Sequence, residues 1–162
     1  MSQTSVLAPV AGRAVLLEAV PDPVFSAGMV GYGAAIDPPR AVIDAVAPVS
    51  GKLLKLMPHA YIVVTPDNVG VLVHLGLDTV ALKGEGFATH VSQGDDVTAG
   101  QVVISYDVPS VESNGLNPIV AVVVMDERVP ENVTVADAVT LGADIDSGAC
   151  LFTANKPGVR KD

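Results

Sequence analysis

Apolar positions along the chain come in short runs, broken at close intervals by 15 Gly and 12 Pro. The runs fall at residues 14–17, 41–46, 52–56, 61–65, 69–75, 80–82, 101–105, 118–125 and 150–153. Val, Ile and Leu dominate them. Many short β-branched runs separated by turn residues predict an all-β chain, an antiparallel sandwich or barrel. Helical signals are weak: residues 109–112 and 135–139 each support a turn or two. The longest apolar stretch, 119–125, is strand-sized and falls short of the ~18–20 residues of a membrane helix.

Two segments recur. Ala8-Pro9-Val10-Ala11-Gly12-Arg13 is echoed by Ala47-Pro48-Val49-Ser50-Gly51-Lys52. Residues 94–103, beginning Gly94-Asp95-Asp96-Val97 and reaching Gly100, are echoed by 142–151, beginning Gly142-Ala143-Asp144-Ile145 and reaching Gly148. The second pair reads as a turn, one buried aliphatic, a second turn and a strand, with Gly supplying the positive φ such turns need. The echoes predict a duplicated β-unit folded into one pseudo-symmetric core. Their irregular spacing excludes a solenoid. One domain is expected over residues 6–154, with a short extension at 1–5 and a loose polar tail at 155–162.

Composition narrows the picture. At 49% apolar and 17% charged residues the chain is globular, and with only 4% aromatics and no Trp its core is aliphatic. Nine Lys and Arg against 18 Asp and Glu give a net charge of −9, which suits neither nucleic-acid phosphates nor an anionic membrane surface. Residues 1–5 lack the basic start of a secretory signal. The single Cys150, expected as a buried thiol, excludes an intrachain disulfide and a thiolate metal cluster. A cytoplasmic location follows as the expectation.

Candidate chemistry rests on His59 and His74. The run 61–65, then Pro66-Asp67-Asn68, then 69–73 reads as a hairpin. A two-residue loop sets His59 opposite Gly76, with His74 displaced on the same face. A four-residue loop sets the two histidines directly opposite, and a three-residue loop puts them on opposite faces. Neutral imidazole is a good nucleophile near neutral pH, so two converging rings suit phosphoryl acceptance or zinc binding. Of the other candidates, His90 reads as a surface residue and Lys83 as a solvated one. Gly28, Gly31 and Gly33 lack the βαβ context of a dinucleotide fingerprint.

The block Val73-His74-Leu75-Gly76-Leu77-Asp78-Thr79, continuing to Lys83-Gly84-Glu85-Gly86-Phe87, resembles the signature of the glucose-type enzyme IIA domain. That family belongs to the bacterial phosphoenolpyruvate-dependent sugar phosphotransferase system. The likeness extends over most of the chain, through both Ala-Pro-Val-x-Gly segments, Val20-Pro21-Asp22-Pro23-Val24-Phe25, Met29-Val30-Gly31, His59-Ala60 and residues 94–100.

The resemblance implies an antiparallel β-sandwich with a duplicated hybrid motif. It implies that His74 accepts a phosphoryl group from the carrier HPr, that His59 hydrogen-bonds this group, and that a cysteine of a IIB domain receives it. It implies that Asp22 and Asp78 meet an arginine of HPr, and that Val24 and Phe25 belong to an apolar docking surface. No cofactor is implied, although zinc bridging His59, His74 and a partner's carboxylate fits some relatives. Regulated transporters or kinases are further implied partners. The chain departs from the family at Met57, where Thr is common, at Pro58, where Asn is common, and at Tyr32, where Asp is common.

Other readings stand beside this one. A zinc-dependent hydrolase of related fold would use His74-x-x-x-Asp78, but it also needs a His-x-His pair, which the three histidines do not form. A swinging-arm carrier needs a modification hairpin that Leu82-Lys83-Gly84 does not resemble. A regulatory protein sensing phosphorylation state is compatible with phosphotransfer.

Overall fold

A computed structural model describes residues 2–156. Among them run fourteen strands: β1 Ser2–Leu7, β2 Gly12–Leu16, β3 Gly31–Asp37, β4 Val42–Val46, β5 Gly51–Met57, β6 Ala60–Val64, β7 Gly70–Leu75, β8 Phe87–Thr89, β9 Asp96–Val97, β10 Val102–Asp107, β11 Val120–Met125, β12 Val133–Val135, β13 Asp144–Ile145 and β14 Cys150–Lys156. Three short helices interrupt them: α1 Pro23–Ser26, α2 Val108–Ser113 and α3 Asp137–Leu141. The strand order is β13-β2-β3-β11-β7-β6-β5-β9 in the main sheet, with β1-β14-β12 and β4-β10-β8 as two smaller sheets. Neighbouring strands are antiparallel throughout. The fold is the antiparallel β-sandwich that the run pattern predicts.

The duplication has a structural meaning. Gly12 and Arg13 of β2 pair with Ile145 and Asp144 of β13, while Gly51 and Lys52 of β5 pair with Val97 and Asp96 of β9. Each copy of the first echo thus receives a copy of the second, at opposite edges of the main sheet. The flanking bonds repeat too: Gly148 N–H donates to Ala8 O and Gly100 N–H to Ala47 O.

The core is mostly Val, Ala, Leu and Ile, with Tyr61, Tyr106 and Phe152 as its largest fully buried side chains. Both buried phenols are satisfied, Tyr61 donating to Val46 O and Tyr106 to Pro118 O, each at 2.7 Å. A phenol left unpaired there would be costly. A second, smaller apolar cluster lies outside the main core. Leu17, Val20 and Phe25 there cover Ala35, Ala60, Leu72 and Ala121.

Six of the described strands fall outside the apolar runs, β1 and β3 being the longest of them. Polar Ser2, Gln3, Thr4 and Ser5 belong to β1 because they pair in turn with Lys156, Asn155, Ala154 and Thr153 of β14, so the strand begins inside the expected extension. β3 is rich in small residues because it lies tight against β11. A Cβ on Gly33 would stand 2.0 Å from Val122 O. Gly33→Ala is therefore expected to lower stability by about 1–3 kcal/mol, read as a lower urea midpoint; an unchanged midpoint would show that the sheet yields there. Residues 80–82, read as a strand, lie in a 3₁₀ turn, Thr79–Leu82. Of the expected loose tail, Asn155 and Lys156 belong instead to β14, held by pairing with Gln3 and Ser2 of β1, and residues from 157 on fall outside the described residues. Cys150 is exposed, not buried; Leu151 and Phe152 take the core positions. Among the described residues, no helix is long and apolar enough to cross a membrane.

Candidate active site

The hairpin of β6 and β7 carries His74. Its loop is Pro66-Asp67-Asn68, closed by Asn68 at φ 67° and by Asn68 N–H donating to Thr65 O. Val64 therefore pairs with Gly70 and Ala60 with His74. This is the three-residue register, in which strand alternation would put residues 59 and 74 on opposite faces. The rings nevertheless meet, with centroids 5.1 Å apart and planes at 71°. The reason is that β6 starts only at Ala60. Met57 pairs with Ala60, so Pro58 and His59 form the two-residue turn between β5 and β6. A turn residue escapes strand alternation. The His59 carbonyl accepts from Leu75 N–H at 2.8 Å, which holds the turn against β7.

Small neighbours make room for the His74 ring, since Ala60 and Ala121 are its cross-strand partners. The third wall is Phe25, whose ring lies 5.3 Å from His74 at 59°. Phe25 arrives on α1, which Asp22 caps by accepting from Val24 N–H at 3.0 Å, with Pro23 in the first turn. Phe25 is buried, whereas Val24 stays 44% exposed beside it. Asp78 stands exposed on the other side at φ 60°, at the start of the 3₁₀ turn.

His74 Nδ1 lies 2.7 Å from Gly76 O. A carbonyl only accepts, so Nδ1 carries the proton and Nε2 keeps its lone pair. Gly76 reaches this position with φ 80°, and a Cβ there would stand 2.6 Å from Thr79 Cγ2. Buried Thr79 locks the bend by donating Oγ1–H to Leu75 O at 2.8 Å. Thr79 and Tyr106, whose hydroxyl also lies near Gly76, support the site without having been singled out. Thr79 follows Gly76 within the motif and was legible in principle; nothing local marks Tyr106.

Burial lowers the pKa of His74, opposed by its bond to Gly76 and by the charges of Asp22 and Asp78. Burial likewise lowers His59, and repulsion from His74 adds to the effect. Both rings are thus neutral at pH 7. Each folded pKa lies below the ordinary 6.5, so the unfolded chain takes up these protons first as pH falls. Stability present above pH 6.5 should therefore drain away as pH drops through the folded values. Ring-proton NMR titration should place both midpoints below 6.5; a midpoint above it would contradict the burial argument.

The remaining candidates lie apart from the pair. Met57 is partly buried against the outer apolar cluster. His90 Nε2 bonds Ser105 Oγ, which donates to Asp44 across β4 and β10. Lys83 is exposed. Among the described residues, no group of three or more His, Cys, Asp or Glu could hold a metal ion.

Comparison with known proteins matches the family described as phosphoenolpyruvate-dependent sugar phosphotransferase system, EIIA 1, over residues 4–129. The chain belongs to this enzyme IIA family. It is 40% identical over 124 residues to a glucose-specific EIIA component of Oceanobacillus iheyensis, covering 75% of this chain and 74% of that one. A solved structure, the glucose permease IIA from Mycoplasma capricolum, superposes with a TM-score of 0.82 at 32% identity, over 94% of this chain and 96% of the other. The IIA unit also occurs within longer chains. A Streptococcus pneumoniae glucose-specific EIICBA component is 42% identical over 106 residues, which span 64% of this chain and 14% of that relative. The IIA protein is thus a phosphocarrier component of a sugar phosphotransferase system.

Proposed function

We propose that this IIA protein accepts a phosphoryl group on Nε2 of His74 from phospho-HPr and passes it to a cysteine of a IIB domain in the cytoplasm. The observation that carries the reading is the 2.7 Å contact between His74 Nδ1 and Gly76 O, which leaves Nε2 as a lone pair beside a second neutral imidazole. In the first transfer the Nε2 pair attacks phosphorus in line, and the bond from phosphorus to the donor nitrogen breaks. The donor imidazole leaves with that electron pair. The Nδ1–H bond to Gly76 steadies the positive charge that the His74 ring gains. His59 donates a ring N–H to a phosphoryl oxygen and so stabilises charge where it spreads. The second transfer reverses this at a thiolate.

Asp22 and Asp78 repel a bare phosphate but attract a cationic side chain on the donor, which steers docking. Exposed Val24 forms the apolar part of the same surface; Phe25, expected there too, is instead buried behind it against the His74 ring. The chemistry needs no metal. Zinc between His59 and His74 would require further ligands from a partner.

The test is intact-protein mass after incubation with phosphoenolpyruvate, enzyme I and HPr. One acid-labile phosphoryl group is expected. None, with HPr shown to be charged, would overturn the reading and favour a regulatory role.

A further inference from the structure

A cleft of about 320 Å³ opens between the segment leading into α1 and the strand β12. That volume sits at the lower end of the ~300–1,000 Å³ range of small-molecule sites. Its apolar walls are Leu17, Pro130, Val133 and Val135. Its polar groups are Glu18, Ser26 and Tyr32. Among the described residues, none of these three side chains makes a hydrogen bond or ion pair within the chain. Tyr32 differs here from Tyr61 and Tyr106, whose hydroxyls are both engaged. Its ring is nonetheless fixed. It lies against Gly28, where φ is 71° and an added Cβ would fall 2.5 Å from Tyr32 Cζ.

We propose that this cleft binds an uncharged, monosaccharide-sized polyol, and that α1 carries its occupancy to His74. The lining holds no Lys, Arg or His, so nothing offsets a phosphate or carboxylate, and Glu18 repels both. A carboxylate and two hydroxyls lining one cleft with aliphatic walls suit a molecule with hydroxyls on its rim and C–H groups on its face. The link to the active site is short. Ser26 lines the cleft, and the preceding residue, Phe25, is the wall of the His74 ring. A ligand bonded to Ser26 therefore restrains the element that seats Phe25.

Binding does not depend on the phosphotransfer reading, and the test keeps the two apart. Glucose, mannose and N-acetylglucosamine are titrated into the full unphosphorylated chain, followed by amide and imidazole NMR shifts. Saturable shifts at Glu18, Ser26, Tyr32 and Phe25 are expected in the millimolar range, with a smaller shift of the His74 ring. Tyr32→Phe, which keeps the packing, should weaken binding about tenfold, the loss of one hydrogen bond. Gly28→Ala, which displaces the ring, should abolish it. No saturable shift with any of the three sugars would overturn the site, as would unchanged affinity in Tyr32→Phe. Equal or tighter binding of glucose 6-phosphate or of a simple alkylamine would overturn the assigned chemistry. Sugar binding that leaves the His74 ring unmoved would overturn the coupling through α1.

Discussion

His74→Gln protein is expected to carry no phosphoryl group after incubation with phosphoenolpyruvate, enzyme I and HPr, while remaining folded. The side-chain amide can still donate to Gly76 O, as His74 Nδ1 does at 2.7 Å. The local bend at Gly76 and Thr79 therefore keeps its bonds. What disappears is the lone pair, since an amide nitrogen is no nucleophile. The effect is a full loss, and intact mass reads it directly. A phosphoryl group persisting on the variant would place the acceptor elsewhere, with His90 the first residue to examine. Its Nε2 faces Ser105, which in turn donates to Asp44.

His59→Leu should separate activity from stability in opposite directions. His59 is only 8% exposed, and among the described residues no group hydrogen-bonds its ring. An unpaired buried polar group costs roughly 1–3 kcal/mol, so an apolar side chain of similar size should raise stability by about 1 kcal/mol. Phosphoryl transfer should nevertheless slow about 10²-fold, the usual consequence of removing one donor aimed at developing charge. His59→Gln restores an N–H and should recover part of that rate. Rapid-quench kinetics with phospho-HPr and a urea titration supply the two readouts. Transfer at the parent rate in His59→Leu would remove His59 from the mechanism. A fall in stability would mean that the ring has a partner which the unphosphorylated fold does not reveal.

The opposed signs fit a residue retained for the reaction and not for the fold. A protein optimised for stability alone would not bury the His59 imidazole, unpaired, beside a second imidazole whose repulsion further lowers its affinity for a proton. The same logic covers Asp78, an exposed residue held at φ 60°, a conformation that costs a non-glycine residue energy, whose charge reaches His74.

Much of this protein was legible from its residues alone. Short Val-rich runs between Gly and Pro specified an all-β chain, because extended backbone and β-branched side chains suit each other locally. The two echoes specified a duplication, which appears as Gly12–Ile145 and Gly51–Val97 pairing at opposite edges of one sheet. The block around His74 specified the family. Each of these depends on residues close together in the chain.

The geometry of the site was decided elsewhere. The hairpin took the register that alternation says should separate His59 from His74, and the rings met because His59 lies in the turn before β6. Ser2 to Ser5 became a strand only because β14 offered its edge. Phe25 reached His74 from a helix nearly fifty positions earlier in the chain. Contacts of that kind are set by the packing of distant strands, and no local propensity encodes where a side chain leaving a turn will point. The sequence thus determined which groups are present and, through Gly76 two residues on, which nitrogen of His74 stays free; tertiary packing decided that Phe25, His59 and His74 meet.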